Sequence, residues 1–385
     1  MEQPISSRAR VAIAGGGVAA LEAALALRAL AGDRVRLTLI SPNATFFYRP
    51  AATVETVRGG PAHAYDLRAI AADLGAAYHQ AGLEAVAPQQ HWVRLANGAR
   101  LAYDALILAL GARARAGVPG ALTFRDQRDV PQYRRVLSDV LTGRIGRLVL
   151  AVPSRDSWPL PAYELALLTA ARAAQEEVGV EIALVTPEPA PLGVFGSKAS
   201  RVVGDLLAER RVRFVGASIP HSVRRDGSLN IQFDGAIEAD RVVAVPELRG
   251  QRITGVPANW SGFVPTDAVG RVTDMTDVYA AGDMTTFPVR QGGIAAQQAD
   301  RIAHTIAAGL GAPVKELREA RVLLARLLDG DSGLVLRTEL DEFGQPTKAT
   351  IEHYEPRRDA APKVFARYLT PYLSGHGASS KVAAA

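Results

Sequence analysis

A few small corners of the sequence have residue types and spacings that could do chemistry. Gly15, Gly17 and Ala20 hold the spacing G-x-G-x-x-A, directly after the apolar run VAIA and before the alanine-rich ALEAALALRAL. At such a corner the first glycine lets the chain turn sharply and the second lets backbone approach a pyrophosphate. The small third residue lets a helix pack on its strand, and the helix N-terminus then faces the phosphates. The chemistry predicted is dinucleotide binding. At the end of the next apolar run, where an acid usually bonds a ribose hydroxyl, stands Ser41, whose own hydroxyl can form that bond. Far downstream, the apolar VYAA runs into Gly282 and Asp283, and Gln291, Gly292, Gly293 and Ile294 read as a glycine turn opening a helix. Taken singly, Gly282-Asp283 also reads as a simple turn and Gly292-Gly293 as a simple helix start.

The stretch RLVLAVPSRDSWPLPAYE, residues 147 to 164, is a second corner of the same kind with different contents. A buried strand runs through a loop into the first turn of a helix, and the loop carries Pro153, Trp158, Pro159 and Pro161 in place of glycines. Proline has no N–H to offer a phosphate, and a tryptophan fills space that a cofactor backbone would need. A nicotinamide dinucleotide in the usual mode is therefore not expected here. Glu164, at the helix start, is a carboxyl that can move a proton; the alternative is that it only stabilises its own helix N-terminus. Trp158 can stack on a planar ring or simply pack.

Several chemistries are excluded. The chain has no cysteine, which removes disulfides, thiolate metal sites and thiol nucleophiles. Its 7 histidines are scattered, with no pair at i, i+4, so no metal is assigned. No G-x-S-x-G elbow is present. Net charge is +5 from 44 basic and 39 acidic residues, with no basic run interleaved with aromatics, so nucleic acid is not a partner. The longest apolar runs, such as ALILAL, fall well short of the roughly 20 residues of a membrane span. MEQPISSRAR lacks the apolar core of a signal peptide, so the expected location is the cytoplasm.

These residues need elements to position them. RVAIA and RVRLTLIS are strands flanking an alanine-rich helix, a βαβ unit at the start of the chain. HWVRLANGARLAYDALILALGA is a hairpin turning at Asn97-Gly98 followed by a strand ending at Gly111. A second α/β block contains RLVLAVP, the helix ELALLTAARAAQ, the strand EIALVTPE, a helix from Ser197 to Glu209 and a hairpin around DGSLNIQFDG. Lys198, at the start of that helix, reads as solvated. The tail KVFARYLTPYL has an apolar pattern edged by Lys363 and Arg367, is interrupted by Pro371, and is expected to pack on the first domain.

GGGVAA, YDALILALGA, and VYAAGD followed by QGGIAAQQAD, in that order, resemble the FAD-binding elements of the two-dinucleotide-domain flavoproteins. The resemblance covers about residues 8 to 310, and Ser41, the PLPAYE loop and the tail look most like the sulfide:quinone oxidoreductase and flavocytochrome sulfide dehydrogenase branch. It implies an α/β fold with two Rossmann-like dinucleotide-binding domains, the FAD domain discontinuous. The implied boundaries are 1–112 with 245–320 for the FAD domain, 113–244 for the second domain and 321–385 for a C-terminal region. It also implies that Gly15, Gly17 and Ala20 contact the FAD pyrophosphate, Ser41 the ribose and Asp283 a ribityl hydroxyl. Arg49 would lie on a loop crossing the FAD, with Gly111 and Gly282 beside it. Gln291, Gly292, Gly293 and Ile294 would turn a helix N-terminus toward the flavin N1/O2 edge, where a helix dipole favours the negative charge of reduced flavin.

Tyr163 and Glu164 fall where the resembled family has a glutamate close to the flavin, and Trp158 falls at the position of a sulfur-carrying cysteine. A second family cysteine would fall near Leu327 to Gly330, where this chain has none. The expected function is an FAD-dependent oxidoreductase passing electrons from a small donor to a quinone-like acceptor without cysteine persulfides. The alternatives are an NAD(P)H:acceptor (quinone) reductase and a non-catalytic flavin-binding sensor or interaction module. The location would be cytoplasmic, with peripheral contact at the inner membrane face through the tail left open.

Overall fold

A computed structural model of the chain describes residues 8–59, 62–233, 235–315, 317, 320–330, 333–354 and 363–376. The first seven residues, on which the reading of the chain's start partly rests, lie outside these. Two parallel five-stranded sheets organise the fold, which is α/β in class. The first has the order Val278–Ala280, Ala105–Leu108, Ala9–Ala14, Val35–Ile40, Ala77–His79, so its edge strand comes from far along the chain. The second has the order Leu122–Thr123, Arg241–Ala244, Arg147–Ala151, Glu181–Val185, Val212–Val215. Parallel pairing requires crossovers, and helices supply most of them.

Eight helices are described among these residues: α1 (Val18–Ala31), α2 (Ala52–Arg58), α3 (Leu67–Asp73), α4 (Val130–Leu141), α5 (Leu160–Gln175), α6 (Ser197–Glu209), α7 (Gly292–Gly309) and α8 (Leu369–Gly375). None is long and apolar enough to cross a membrane. The central strand of the first sheet is buried on both faces, which is why it reads as a continuous apolar run. Val11 and Ile13 pack with α1 and α7, whereas Ala12 and Ala14 point to a second cluster containing Val93, Leu95 and Val264. Alanines throughout α1 let α7 approach closely, and Ile302 fills the seam with no exposed surface.

A third, antiparallel sheet of Arg321–Leu328, Gly333–Leu340 and Pro346–Tyr354 lies against α5. Its alternate residues Leu323, Ala325 and Leu327 face that helix and are at most 1% exposed. Helix α5 is thus covered on two sides, which accounts for its nearly unbroken apolar sequence.

The tail differs from expectation at one point. Pro371 lies inside the first turn of α8 and does not interrupt it. The early N–H groups of a helix have no partner within it, so a proline there loses little. Val364, Ala366 and Leu369 are buried in the core formed by α1 and α7.

Candidate active site

The two parallel sheets aim the C-terminal ends of their strands at one cavity of about 630 Å³, the place where open α/β sheets bind ligands. Strand Ala9–Ala14 delivers Gly17, strand Ala105–Leu108 delivers Gly111, and strand Val278–Ala280 delivers Gly282 and Asp283. The second sheet contributes Phe124, Trp158, Val245 and Pro246, and the third contributes Ala325 and Arg326.

The glycine corner is built for close approach. Gly15 has φ +142°, and a Cβ there would lie 2.1 Å from the carbonyl oxygen of Ala109, so the crossing of two strand ends excludes any side chain. Gly17 lines the cavity, and a Cβ built on it meets nothing within 4 Å. It caps α1 with no side chain donated to the first-turn amides and no acid in that turn. An uncapped helix N-terminus opening on a cavity through glycine can hold a diphosphate. The residues present therefore fit the pyrophosphate of a dinucleotide. Ala20 is fully buried beneath this corner, at the packing position.

Three other predicted positions are placed differently. The Ser41 hydroxyl is buried and accepts the amide of Asn43 at 3.2 Å, and Pro42 and Asn43 line the cavity in its place. Gly292 lines the cavity, but the amides of Gly293 and Ile294 donate to Oε1 of Gln291 at 2.7 and 3.1 Å. Gln291 is the N-cap of α7 and satisfies those two donors itself, because an amide side chain has the reach to fold back on the first turn. Tyr163 lies outside the cavity: its hydroxyl donates to Glu188 at 2.9 Å and accepts from the Leu192 amide at 3.2 Å.

Asp283 sits in the cavity wall among cations. Burial pushes its carboxyl above the usual range, opposed by the charges of Arg49 and Arg290, both of which also line the cavity. Arg290 is only 6% exposed, lies 3.8 Å from the ring centroid of Phe263, and reaches Asp156 in the proline loop at 3.4 Å. Burial lowers its own pKa, offset by Asp156 and then Asp283. Across the cavity, burial raises Asp126, but hydrogen bonds from Arg128 outweigh it and leave the carboxyl below its usual range.

Glu164 is 2% exposed and does not cap its own helix. Its carboxylate takes both contacts of the Lys363 ammonium, at 2.8 and 2.7 Å, and accepts the Thr53 hydroxyl at 2.7 Å and the Leu328 amide at 3.3 Å. Lys363 also donates to Thr53 at 3.0 Å. Glu164, Lys363 and Thr53 all line the cavity. A buried carboxylate held by an ammonium and a hydroxyl puts a fixed pair of opposite charges on the cavity wall. Glu164 was legible in the sequence, but Lys363 and Thr53 were not, because nothing local marks residues that meet only in the fold.

The proline loop closes on itself and on its neighbours. Ser157 donates its hydroxyl to the carbonyl of Pro246 at 2.8 Å, and the Ser157 amide bonds the Ser154 carbonyl at 3.2 Å. A Cβ at Gly117 would come within 2.5 Å of the Pro153 side chain. Trp158 faces the cavity and is held edge-on to Phe195 at 6.3 Å between centroids. Pro159 is the N-cap of α5 and Pro161 lies in its first turn, so this corner offers few amides. Lys198 is exposed at the start of α6.

The sequence matches the family described as pyridine nucleotide-disulphide oxidoreductase over residues 9–149 and 162–309. A sulfide-quinone reductase of Aquifex aeolicus (strain VF5) is 25% identical over 292 residues, 73% of this chain and 63% of that protein, so the match spans less than two thirds of the relative. The solved sulfide:quinone oxidoreductase of the same hyperthermophilic bacterium superposes with a TM-score of 0.79 at 19% identity, covering 90% of this chain and 87% of that one. The ferredoxin reductase for the CYP199A2 system from Rhodopseudomonas palustris gives 0.68 at 20% identity, covering 86% and 84%. At these identities the two structures share the fold.

Proposed function

The chain belongs to the pyridine nucleotide-disulphide oxidoreductase family, and on that premise we propose that it is an FAD-dependent oxidoreductase that takes electrons from a small donor and passes them to a quinone-like acceptor. The observation that carries this reading is that the uncapped N-terminus of α1, reached through Gly17, opens on the same cavity as the Glu164–Lys363 pair. FAD, when bound, supplies the two-electron chemistry. Gly15, Gly17 and the first turn of α1 would hold its pyrophosphate, Pro42 and Asn43 would lie beside its adenosine end, and Asp283 would accept from a ribityl hydroxyl. The amide of Gly292 remains available at the head of α7 for the flavin ring.

Around that group the chain's own residues have separate tasks. Glu164 offers a carboxylate that can accept a proton from a bound group, and Lys363 supplies the positive charge that favours an electron-rich ring nearby. Trp158, Phe124, Val245 and Pro246 form an apolar wall that excludes water and suits a planar acceptor. A relay through protein persulfides has no cysteine to carry it.

Nicotinamide dinucleotides are disfavoured by two features of the second sheet. The proline corner offers few amides for phosphate, and Glu188, which follows strand Glu181–Val185 where a ribose-binding acid would stand, is engaged by Tyr163 and Thr186.

Anaerobic titration of the flavin-loaded protein with NADH and then NADPH tests this. The expected result is no bleaching by either, reduction by dithionite, and rapid reoxidation by a short-chain quinone. Rapid bleaching by NADH would move the assignment to an NAD(P)H:quinone reductase. Reduced flavin that no quinone reoxidises would move it to a flavin-binding module without turnover, and colourless protein that takes up no FAD would remove the cofactor.

A further inference from the structure

A buried pair of acids lies away from the cavity, between the two helices that frame the first sheet. Glu22 on α1 has no exposed surface, and Asp300 on α7 is 8% exposed. Their carboxyls are hydrogen-bonded to each other. Glu22 also accepts the Tyr368 amide at 2.9 Å through Oε1 and the Leu369 amide at 2.6 Å through Oε2, at the point where the C-terminal segment enters α8. Oδ1 of Asp300 has no hydrogen-bond partner among the described residues. Two carboxylates in contact in a dry seam cannot both be charged, and the pair of amides on Glu22 assigns the negative charge to it.

We propose that Asp300, protonated against Glu22, is a positioning residue: the shared proton seats the segment 363–376, and that seating places Lys363 against Glu164 in the cavity wall. The functional meaning of Lys363 rests on the flavin reading above, whereas the latch itself does not. The segment is one piece of packing. The Val364 amide donates to the Tyr48 hydroxyl at 2.7 Å, Val364 and Leu369 are buried beside α1, and the Tyr372 hydroxyl donates to Asp73 at 2.6 Å.

Charged and titratable groups face the pair from each element around it. Glu22 comes from α1; Arg367 and Tyr368 come from the segment; His304 lies one turn along α7 from Asp300. Burial raises Asp300, followed by the charge and hydrogen bond of Glu22, with Arg367 opposing, to about 8. Glu22 is raised by burial, with the two amides of the segment pulling it back. A carboxyl whose folded value is raised contributes stability at low pH that is lost as pH rises through that value. The segment is therefore seated most firmly at about pH 4 and loosens progressively as pH rises toward about 8, above which this contribution is spent.

Amide hydrogen exchange over a peptide spanning residues 363–373, corrected for the intrinsic pH dependence of exchange, reads the latch with or without flavin. Wild-type protection at Tyr368 and Leu369 is expected to fall by about tenfold per pH unit from pH 6 to 7.5 and to level off above about 8. Asp300→Asn keeps a neutral donor toward Glu22 and is expected to remove that slope, its protection staying level from pH 6 to 9.5. Protection that does not change with pH in wild type, or falls equally in Asp300→Asn, overturns the proposal. Should that variant not fold, carboxyl NMR of the wild-type protein decides: an Asp300 titration near 4 refutes the shared proton, and one near 8 supports it. Colourless protein with an intact latch would sink the flavin reading alone.

Discussion

Replacing Lys363 with alanine removes one half of an ion pair whose members are 11% and 2% exposed in their side chains. The carboxylate of Glu164 keeps only the Thr53 hydroxyl and the Leu328 amide, at 2.7 and 3.3 Å, in a site that water barely reaches. Breaking a buried pair from one side leaves an uncompensated charge, at a cost of about 3–5 kcal/mol, whereas removing both partners together costs much less. Lys363→Ala is therefore expected to lose about 3–5 kcal/mol in urea unfolding. The double variant Glu164→Gln with Lys363→Ala, compared with each single variant, should recover most of that loss, giving a coupling between the two sites of at least about 1.5 kcal/mol. The double-mutant cycle needs no flavin. If Lys363→Ala loses less than about 1 kcal/mol, the value of an exposed ion pair, the pair is solvated and the reasoning about a dry, charged wall fails.

Four further outcomes follow from the same geometry. Asp283→Ala should weaken FAD retention on gel filtration, and unchanged occupancy would remove Asp283 from the cofactor's contacts. Gly15→Ala places a Cβ 2.1 Å from the Ala109 carbonyl oxygen at a φ that only glycine adopts readily, so it should cost at least about 1–3 kcal/mol of backbone strain and abolish FAD uptake; retained uptake would mean the two strand ends can separate. Trp158→Ala should leave FAD bound but raise the quinone KM about two- to tenfold, the value of one lost aromatic contact, while an unchanged KM would make Trp158 a packing residue. Burial pushes Glu188 up to about 7 against hydrogen bonds from Tyr163 and Thr186. Wild-type stability should therefore fall as pH rises from about 4.5 toward 7, and Glu188→Gln should flatten that slope; an unchanged slope would place the titration elsewhere.

The parts of the fold and site that could be read from sequence are those whose cause is local. The G-x-G-x-x-A corner, the parallel strands around it, the boundaries of α6 and the start of α7 each follow from a run of neighbouring residues, and the structure has them at the expected places. What could not be read depends on distance or on which of two local roles a side chain takes. Gln291 reads as part of a glycine turn aimed at a ligand, yet its side chain caps its own helix. Ser41 reads as a ribose contact, yet its hydroxyl closes on Asn43. Lys363 pairs with an acid nearly two hundred positions away, and no spacing rule reaches that far. Glu22 did leave a local mark, as a lone acid inside the apolar run of α1, and a charge in such a place requires a buried partner.

The contrast between the two strand-end corners has one physical root. At the first, glycines and an uncapped helix leave amides open to the cavity, a corner that fits a group carrying phosphate. At the second, Pro159, Pro161 and Trp158 remove donors and add apolar surface, and Tyr163 draws Glu188 into a hydrogen bond with its hydroxyl. A dinucleotide at the second corner would have to break the Tyr163–Glu188 bond and find phosphate donors that proline does not have. A neutral planar ring requires neither, and it gains contact with Trp158 and Phe124 at no cost in desolvated charge. On the proposed reading, the same sheet geometry would serve the cofactor at one corner and the substrate at the other, and the difference lies in a few residues at the strand ends.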